Sequence, residues 1–107
     1  MSKEFKAIYR ILKTLMKWQG NEAFTNELIS AQAVDLSFEK WEQIMIELSN
    51  NGYIDGVVYT QTISDRFPHI IDSGTPRITL KGMEYVEGNG LMQKTAEALK
   101  SLGEIIP

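Results

Sequence analysis

The chain has 107 residues, the size of one domain, and 43% of them are hydrophobic, enough for a core without covalent staples. It has no cysteine and a single histidine, His69, which excludes a disulfide framework, thiol catalysis, any zinc site with sulfur ligands and any histidine-rich metal site. The net charge of −3 hides an asymmetry: residues 1–18 carry five cations against Glu4 alone, whereas residues 19–55 carry seven anions against Lys40 alone.

The opening MSKEFKAIYR is charged and amphipathic and lacks the apolar core of a signal peptide. No apolar run approaches the roughly 20 residues needed to cross a bilayer. The expectation is a soluble cytoplasmic protein with no membrane contact and no cofactor.

Phe5, Ile8, Leu12, Leu15 and Met16 recur at helical spacing and predict a helix over residues 3–18. Lys3, Lys6, Arg10, Lys13 and Lys17 fall in a narrow arc on its opposite face, and Gly20-Asn21 stops it. Ala23-Phe24-Thr25 reads as a short extended link. Thr25 or Asn26 can cap a second, short helix running to about Ala33, followed by a turn at Asp35-Leu36. Ser37 is a good N-cap for a third helix, whose stripe is Phe38, Trp41, Ile44, Met45 and Leu48 and whose left-handed stop is Asn51-Gly52.

From Tyr53 the period changes to two. Val57, Val58, Tyr59, Thr60, Thr62 and Ile63 are β-branched or aromatic, as strands prefer. Residues 64–76 hold Asp-Arg, Phe-Pro, Asp-Ser-Gly and Thr-Pro and predict a long turn region, with an extended segment at His69-Ile70-Ile71. Arg77 to Leu80 is the returning strand. Thr79 can end it and cap a helix reaching about Asn89, with Tyr85 and Val86 toward the core. Gly82 inside that helix predicts close packing against the hairpin or the first helix. Gly88-Asn89-Gly90 breaks the helix, and Leu91, Met92, Thr95, Ala98, Leu99 and Leu102 form the apolar side of a last one.

That order predicts an α+β chain with winged-helix architecture. A three-helix bundle is closed by a small antiparallel β-hairpin wing and followed by a C-terminal helical extension. One domain covers residues 1–107, with 1–90 as its core and 91–107 as the extension.

NGYIDGV at 51–57, ITLKGMEYVEGNGLM at 78–92 and GEIIP at 103–107 resemble the YjcQ-like winged-helix proteins, small proteins of Gram-positive bacteria and their phages. The resemblance runs from the first helix to the last residue, and ITLKG-x-x-Y-V is its most specific part. It implies a winged helix with a C-terminal extension. Through the fold alone it implies DNA binding in a regulatory or phage-related role. It brings no site residues with it.

A helix-turn-helix module sends its second helix into the major groove, where basic and amide side chains meet base edges. The third helix offers Lys40, Gln43 and Asn50 as candidate DNA contacts. Glu39 and Glu47 share that face, with Glu42 and Ile46 at one flank, and carboxylates suit a phosphate-lined groove poorly. Arg66 and Arg77 flank the hairpin and are the wing candidates for a minor groove, or ordinary loop residues. His69 reads as a loop or strand-edge residue.

The basic face of the first helix (Lys3, Lys6, Arg10, Lys13, Lys17) fits a phosphate backbone, the acidic surface of a second copy, or plain solvent. Trp18 and Ile46 lie off their stripes and mark either a protein contact or a surface covered by the C-terminal helix. The expected partners are therefore double-stranded DNA, another protein, or a second copy through residues 91–106.

No catalytic or metal residue is expected. Gly88-x-Gly90 lacks the third glycine and preceding strand of a dinucleotide loop, and there is no Gly-x-Ser-x-Gly elbow. A metal site at Glu27–Asp35 or Glu42–Glu47 would need a geometry that spacing alone does not supply. A non-enzymatic protein-interaction module with an acidic surface is the alternative to DNA binding.

Overall fold

A computed structural model describes residues 2–72 and 74–88. The expected helix over residues 91–102, the apolar Ile105-Ile106-Pro107 end and the Asn89-Gly90 part of the break lie outside the described residues. The elements run α1 (Lys3–Lys17), a 3₁₀ turn (Asn26–Ile29), α2 (Phe38–Asn50), β1 (Ile54–Asp55), β2 (Val58–Thr60), β3 (His69–Asp72), β4 (Arg77–Ile78) and a third helix, α3, over residues 80–88. The architecture is α+β, with helices packed on small antiparallel ribbons.

Ser2 opens α1 as its Oγ accepts the Phe5 N–H at 3.1 Å, a cap that satisfies one orphan donor of the first turn. The buried face holds Ala7, Ile11, Leu12 and Leu15, while Phe5 stays 56% exposed. The stripe is thus rotated from the one the spacing predicts. The reason is that α1 packs on β4 and the 3₁₀ turn, which cover its Ala7–Ile11 side.

The second helix is shorter than expected, one 3₁₀ turn over Asn26–Ile29 with extended Thr25 ahead of it, and it does not reach Ala33. The region is two separate turns. Ser30 divides them: its hydroxyl donates to the Glu27 carbonyl and accepts the Ala33 N–H, so it caps a new turn instead of continuing the old one. That turn closes at once, with Leu36 N–H on the Ala31 carbonyl, Asp35 N–H on the Gln32 carbonyl, and Asp35 itself at φ 58°. Thr25 gives no side-chain cap, and Asn26 instead reaches the hairpin, its Nδ2 donating to the Gly74 carbonyl at 2.9 Å. Trp41 Nε1 donates to the Ile29 carbonyl at 2.8 Å and fastens α2 to this region.

In α2, Ser37 is the N-cap and Met45 and Leu48 are buried as expected. Phe38 is not; it is 59% exposed and lies against the Trp41 ring. The helix ends where Tyr53 N–H bonds the Leu48 carbonyl and Gly52 N–H the Ser49 carbonyl, with Gly52 at φ 82°.

The expected single hairpin is two ribbons. Basal β1 pairs with β4, Ile54 opposite Ile78; distal β2 pairs with β3, Tyr59 opposite Ile70 and Thr60 opposite His69. The strand expected through Ile63 breaks at Gly56, which sits at φ 91° so close to the Thr75 carbonyl that no side chain fits. Ile63 lies beyond β2, fully exposed, and the returning strand stops at Ile78 instead of Leu80. The glycine neck lets the distal ribbon change direction and lie along α2, against which β3 packs.

Thr79 performs both roles expected of it. Its N–H bonds the Tyr53 carbonyl as the basal ribbon ends, and its Oγ1 accepts the Gly82 N–H at 3.0 Å as α3 begins. One core joins Ile11, Leu12, Ile29, Met45, Ile54, Ile78 and Val86.

Candidate nucleic-acid interface

The outward face of α2 is built by its 3.6-residue period, which brings Glu39, Lys40, Gln43, Glu47 and Asn50 onto one side. Most of these side chains are already engaged within the chain. Lys40 Nζ donates to Glu4 Oε2 at 2.8 Å, across to α1. Gln43 Nε2 donates to the Pro68 carbonyl at 2.9 Å, just ahead of β3. Asn50 Oδ1 accepts the Tyr59 hydroxyl at 3.4 Å, and Glu47 accepts the Asn51 side-chain amide.

The Lys40 ammonium holds the Glu4 carboxyl below its ordinary range, chiefly through that hydrogen bond. Both groups are largely exposed, so the pair is screened and its effect on stability is small.

Arg77 makes a two-pronged contact with Asp55 across the basal ribbon, Nε to Oδ1 at 3.1 Å and a terminal nitrogen to Oδ2 at 3.4 Å. Arg66 lies exposed in the loop between β2 and β3, on the same loop as Asp65. The Asp65 carboxyl is held below its ordinary range, first by the Thr62 N–H. The structure therefore draws Lys40 and Gln43 toward their intramolecular partners and leaves Arg66 and Arg77 on separate parts of the hairpin.

Spacing did not single out the most buried polar group. Glu42 is 6% exposed, Oε2 accepting the Ile70 N–H at 3.0 Å while Oε1 lies 3.1 Å from His69 Nδ1. It fastens the distal ribbon to the flank of α2, and His69 is accordingly a strand residue with a carboxylate partner. A signal was available: Glu42 and Ile46 are four residues apart on the same flank, and Ile46 is also buried. An off-stripe isoleucine in register with a glutamate marks a flank that another element covers.

On α1, Lys6, Arg10, Lys13 and Lys17 are exposed and make no ion pair among the described residues, while Lys3 meets Asp35 at 3.5 Å. Lys13 lies over the Tyr9 ring, 5.5 Å from its centre. Trp18, half-buried at the end of α1, lines a cleft of about 630 Å³ with Phe24, Pro76 and Arg77. No group of three or more His, Asp or Glu side chains among the described residues is placed to hold a metal ion. No helix among them is long and apolar enough to cross a membrane.

Comparison with known proteins supplies the family. The family model described as YjcQ protein matches residues 9–105. The chain belongs to the YjcQ family. It is 30% identical over 101 residues to the uncharacterized protein YjcQ of Bacillus subtilis (strain 168), covering 94% of this chain and 95% of that protein. No solved structure matches significantly. The region matched by the YjcQ family model includes the ITLKG-x-x-Y-V segment, which spans the handover from β4 to α3.

Proposed function

We propose that this YjcQ-family chain is a winged-helix protein that acts by binding another protein, without catalysis and without reading DNA bases through α2. In this reading α1, the turn region and α2 form the helical bundle, and the two ribbons form the wing. The observation that carries it is the state of the α2 face: Lys40 is paired with Glu4, Gln43 holds the Pro68 carbonyl, Asn50 holds Tyr59, and exposed Glu39 and Glu47 remain. A groove-reading helix needs free donors and cations where this one presents carboxylates. An acidic helix face framed by apolar wing residues suits a protein partner with a basic contact surface.

The test uses the full chain as bait beside a Glu39→Lys/Glu47→Lys double variant. A protein held by the wild type, lost by the double variant and bound again from purified components supports the reading. Retention of nucleic acid alone by both baits overturns it.

A second reading has its own observation. Lys6, Arg10, Lys13 and Lys17 make no ion pair among the described residues and extend over about 16 Å of α1, at a rise of about 1.5 Å per residue, enough to follow two or three phosphates without reading sequence. Under it, Arg10→Glu/Lys13→Glu abolishes low-salt binding of a labelled duplex, measured by fluorescence anisotropy, while Lys40→Glu leaves it unchanged.

A further inference from the structure

The hydrogen bonds that engage α2 also shape a groove. Gln43 Nε2 on the Pro68 carbonyl and Glu42 Oε2 on the Ile70 N–H hold the end of the β2–β3 loop and the start of β3 against the helix. Along this seam runs a groove of about 460 Å³, whose apolar lining comes from half-buried Ile44 on α2 and Phe67 on the loop. Phe67 is 56% exposed, yet the backbone on both sides of it is tied. The Gln61 side-chain amide donates to the Asp65 and Arg66 carbonyls before it, and Gln43 donates to that of Pro68 after it. An aromatic ring held ready in this way loses little freedom on contact with a partner.

The charge of the groove is one-sided. Glu4, Glu39 and Glu42 line it against Lys40 alone, and the Lys40 ammonium is already paired with Glu4. Glu42 is occupied by the Ile70 N–H and His69. Glu39 is exposed and makes no ion pair among the described residues.

We infer that this groove seats an arginine side chain of a partner protein, carried next to an apolar residue. The inference rests on the reading that the acidic α2 face binds a protein, and it names what that face recognises. Arginine matches the lining in three ways at once. Its methylene stem lies along apolar surface such as Ile44 while its head stays in water. Its planar guanidinium stacks on an aromatic face, here Phe67. Its fork of N–H donors pairs with a carboxylate through two parallel bonds, here Glu39. Lysine reproduces the charge but neither the stack nor the paired bonds. The groove has room beyond one side chain, which the apolar neighbour of the arginine fills.

The test is selection from a degenerate library of blocked heptapeptides on the immobilised full-length protein at low ionic strength. Arginine should be enriched at one position with an aliphatic or aromatic residue beside it. A labelled peptide of the selected sequence, followed by fluorescence anisotropy, should bind about tenfold more weakly to Phe67→Ser. It should bind about two- to fivefold more weakly to Glu39→Gln, the range of an exposed ion pair. Wild-type exchange of the Ile70 amide in both variants shows that the groove wall is still in place. No enrichment, selection of acidic or purely apolar peptides, or equal binding by both variants and wild type would overturn the inference. Sedimentation showing self-association that is lost in Phe67→Ser would assign the groove to a second copy and overturn it as well. A protein partner that is lost by the Glu39→Lys/Glu47→Lys bait but kept by a Phe67→Ser bait would overturn the groove alone and leave the acidic-face reading standing.

Discussion

At Gly82 the backbone of α3 lies so close to the start of the basal ribbon that an added Cβ would collide with the Tyr53 carbonyl and come within 2.7 Å of the Ile78 side chain. The first neighbour is backbone and has little room to give. Gly82→Ala improves helix propensity by about 1 kcal/mol, yet it should destabilise the protein by about 1–3 kcal/mol through overpacking. A thermal melt decides the sign, and an unchanged or raised midpoint contradicts the close-packing account.

Glu42 offers a second residue-scale prediction. Glu42→Ala leaves the Ile70 N–H without its acceptor and should lower stability by about 1–3 kcal/mol in urea unfolding. Exchange of the Ile70 amide, in the distal ribbon, should accelerate by more than that of amides in the basal ribbon. Equal exchange in variant and wild type would mean that Glu42 does not hold the ribbon.

Glu4 has a pH signature. Its folded carboxyl is held below its ordinary value by Lys40, so the contact stabilises the fold above the ordinary carboxylate range and is lost as pH falls through the lowered folded value. Wild type should therefore exceed Glu4→Gln slightly in stability at neutral pH and converge with it in acid, as denaturation midpoints at both pH values would show. A gap that widens in acid contradicts this sign.

At the scale of elements, the features best legible in the sequence were those with a local cause. Ser37, Gly52 and the helix-capping hydroxyl of Thr79 accept or donate bonds within five positions along the chain, and each does what its type and place suggest. What was illegible depended on distant partners. Phe5 and Phe38 keep helical spacing yet stay exposed, because which side of a helix becomes buried is set by the elements that pack on it. The capping residues at Thr25-Asn26 suit one short helix to about Ala33, but the Ser30 hydroxyl diverts two backbone groups and divides the region.

The split hairpin has the same origin. A run of β-branched residues reads as one strand, whereas Gly56 and Gly74 meet at a neck where neither tolerates a side chain. Gly56→Ala should both destabilise the protein and loosen the distal ribbon, because the φ of 91° is strained for alanine and the new Cβ meets the Thr75 carbonyl. Loss of Ile70 amide protection, with Ile54 and Ile78 still protected, is the expected exchange pattern. Uniform loss across both ribbons contradicts an independent distal ribbon.

Across the whole molecule, charge and fold point in different directions. The winged-helix order expected from the sequence implies a nucleic-acid reader, while the surface that would do the reading is acidic and internally bonded. Segment charges alone revealed the first half of that conflict, since residues 19–55 are strongly anionic. They did not reveal that Lys40, Gln43 and Asn50 are each given an intramolecular partner, because those partners come from α1, the loop before β3 and β2. Among the described residues, four cations without an ion pair cluster on α1, so electrostatic attraction to a polyanion, where it occurs, is centred on that helix and weakens with salt.

The most direct test is an amide-resolved titration of the full-length, isotope-labelled protein with a mixed-sequence duplex at low ionic strength, followed by added salt. The amides of Lys40, Gln43, Asn50 and Arg66 are predicted to stay in place at every DNA concentration, with any salt-sensitive movement confined to α1. Saturable shifts at those four residues that reverse as salt is raised would contradict the account and return α2 to the major groove.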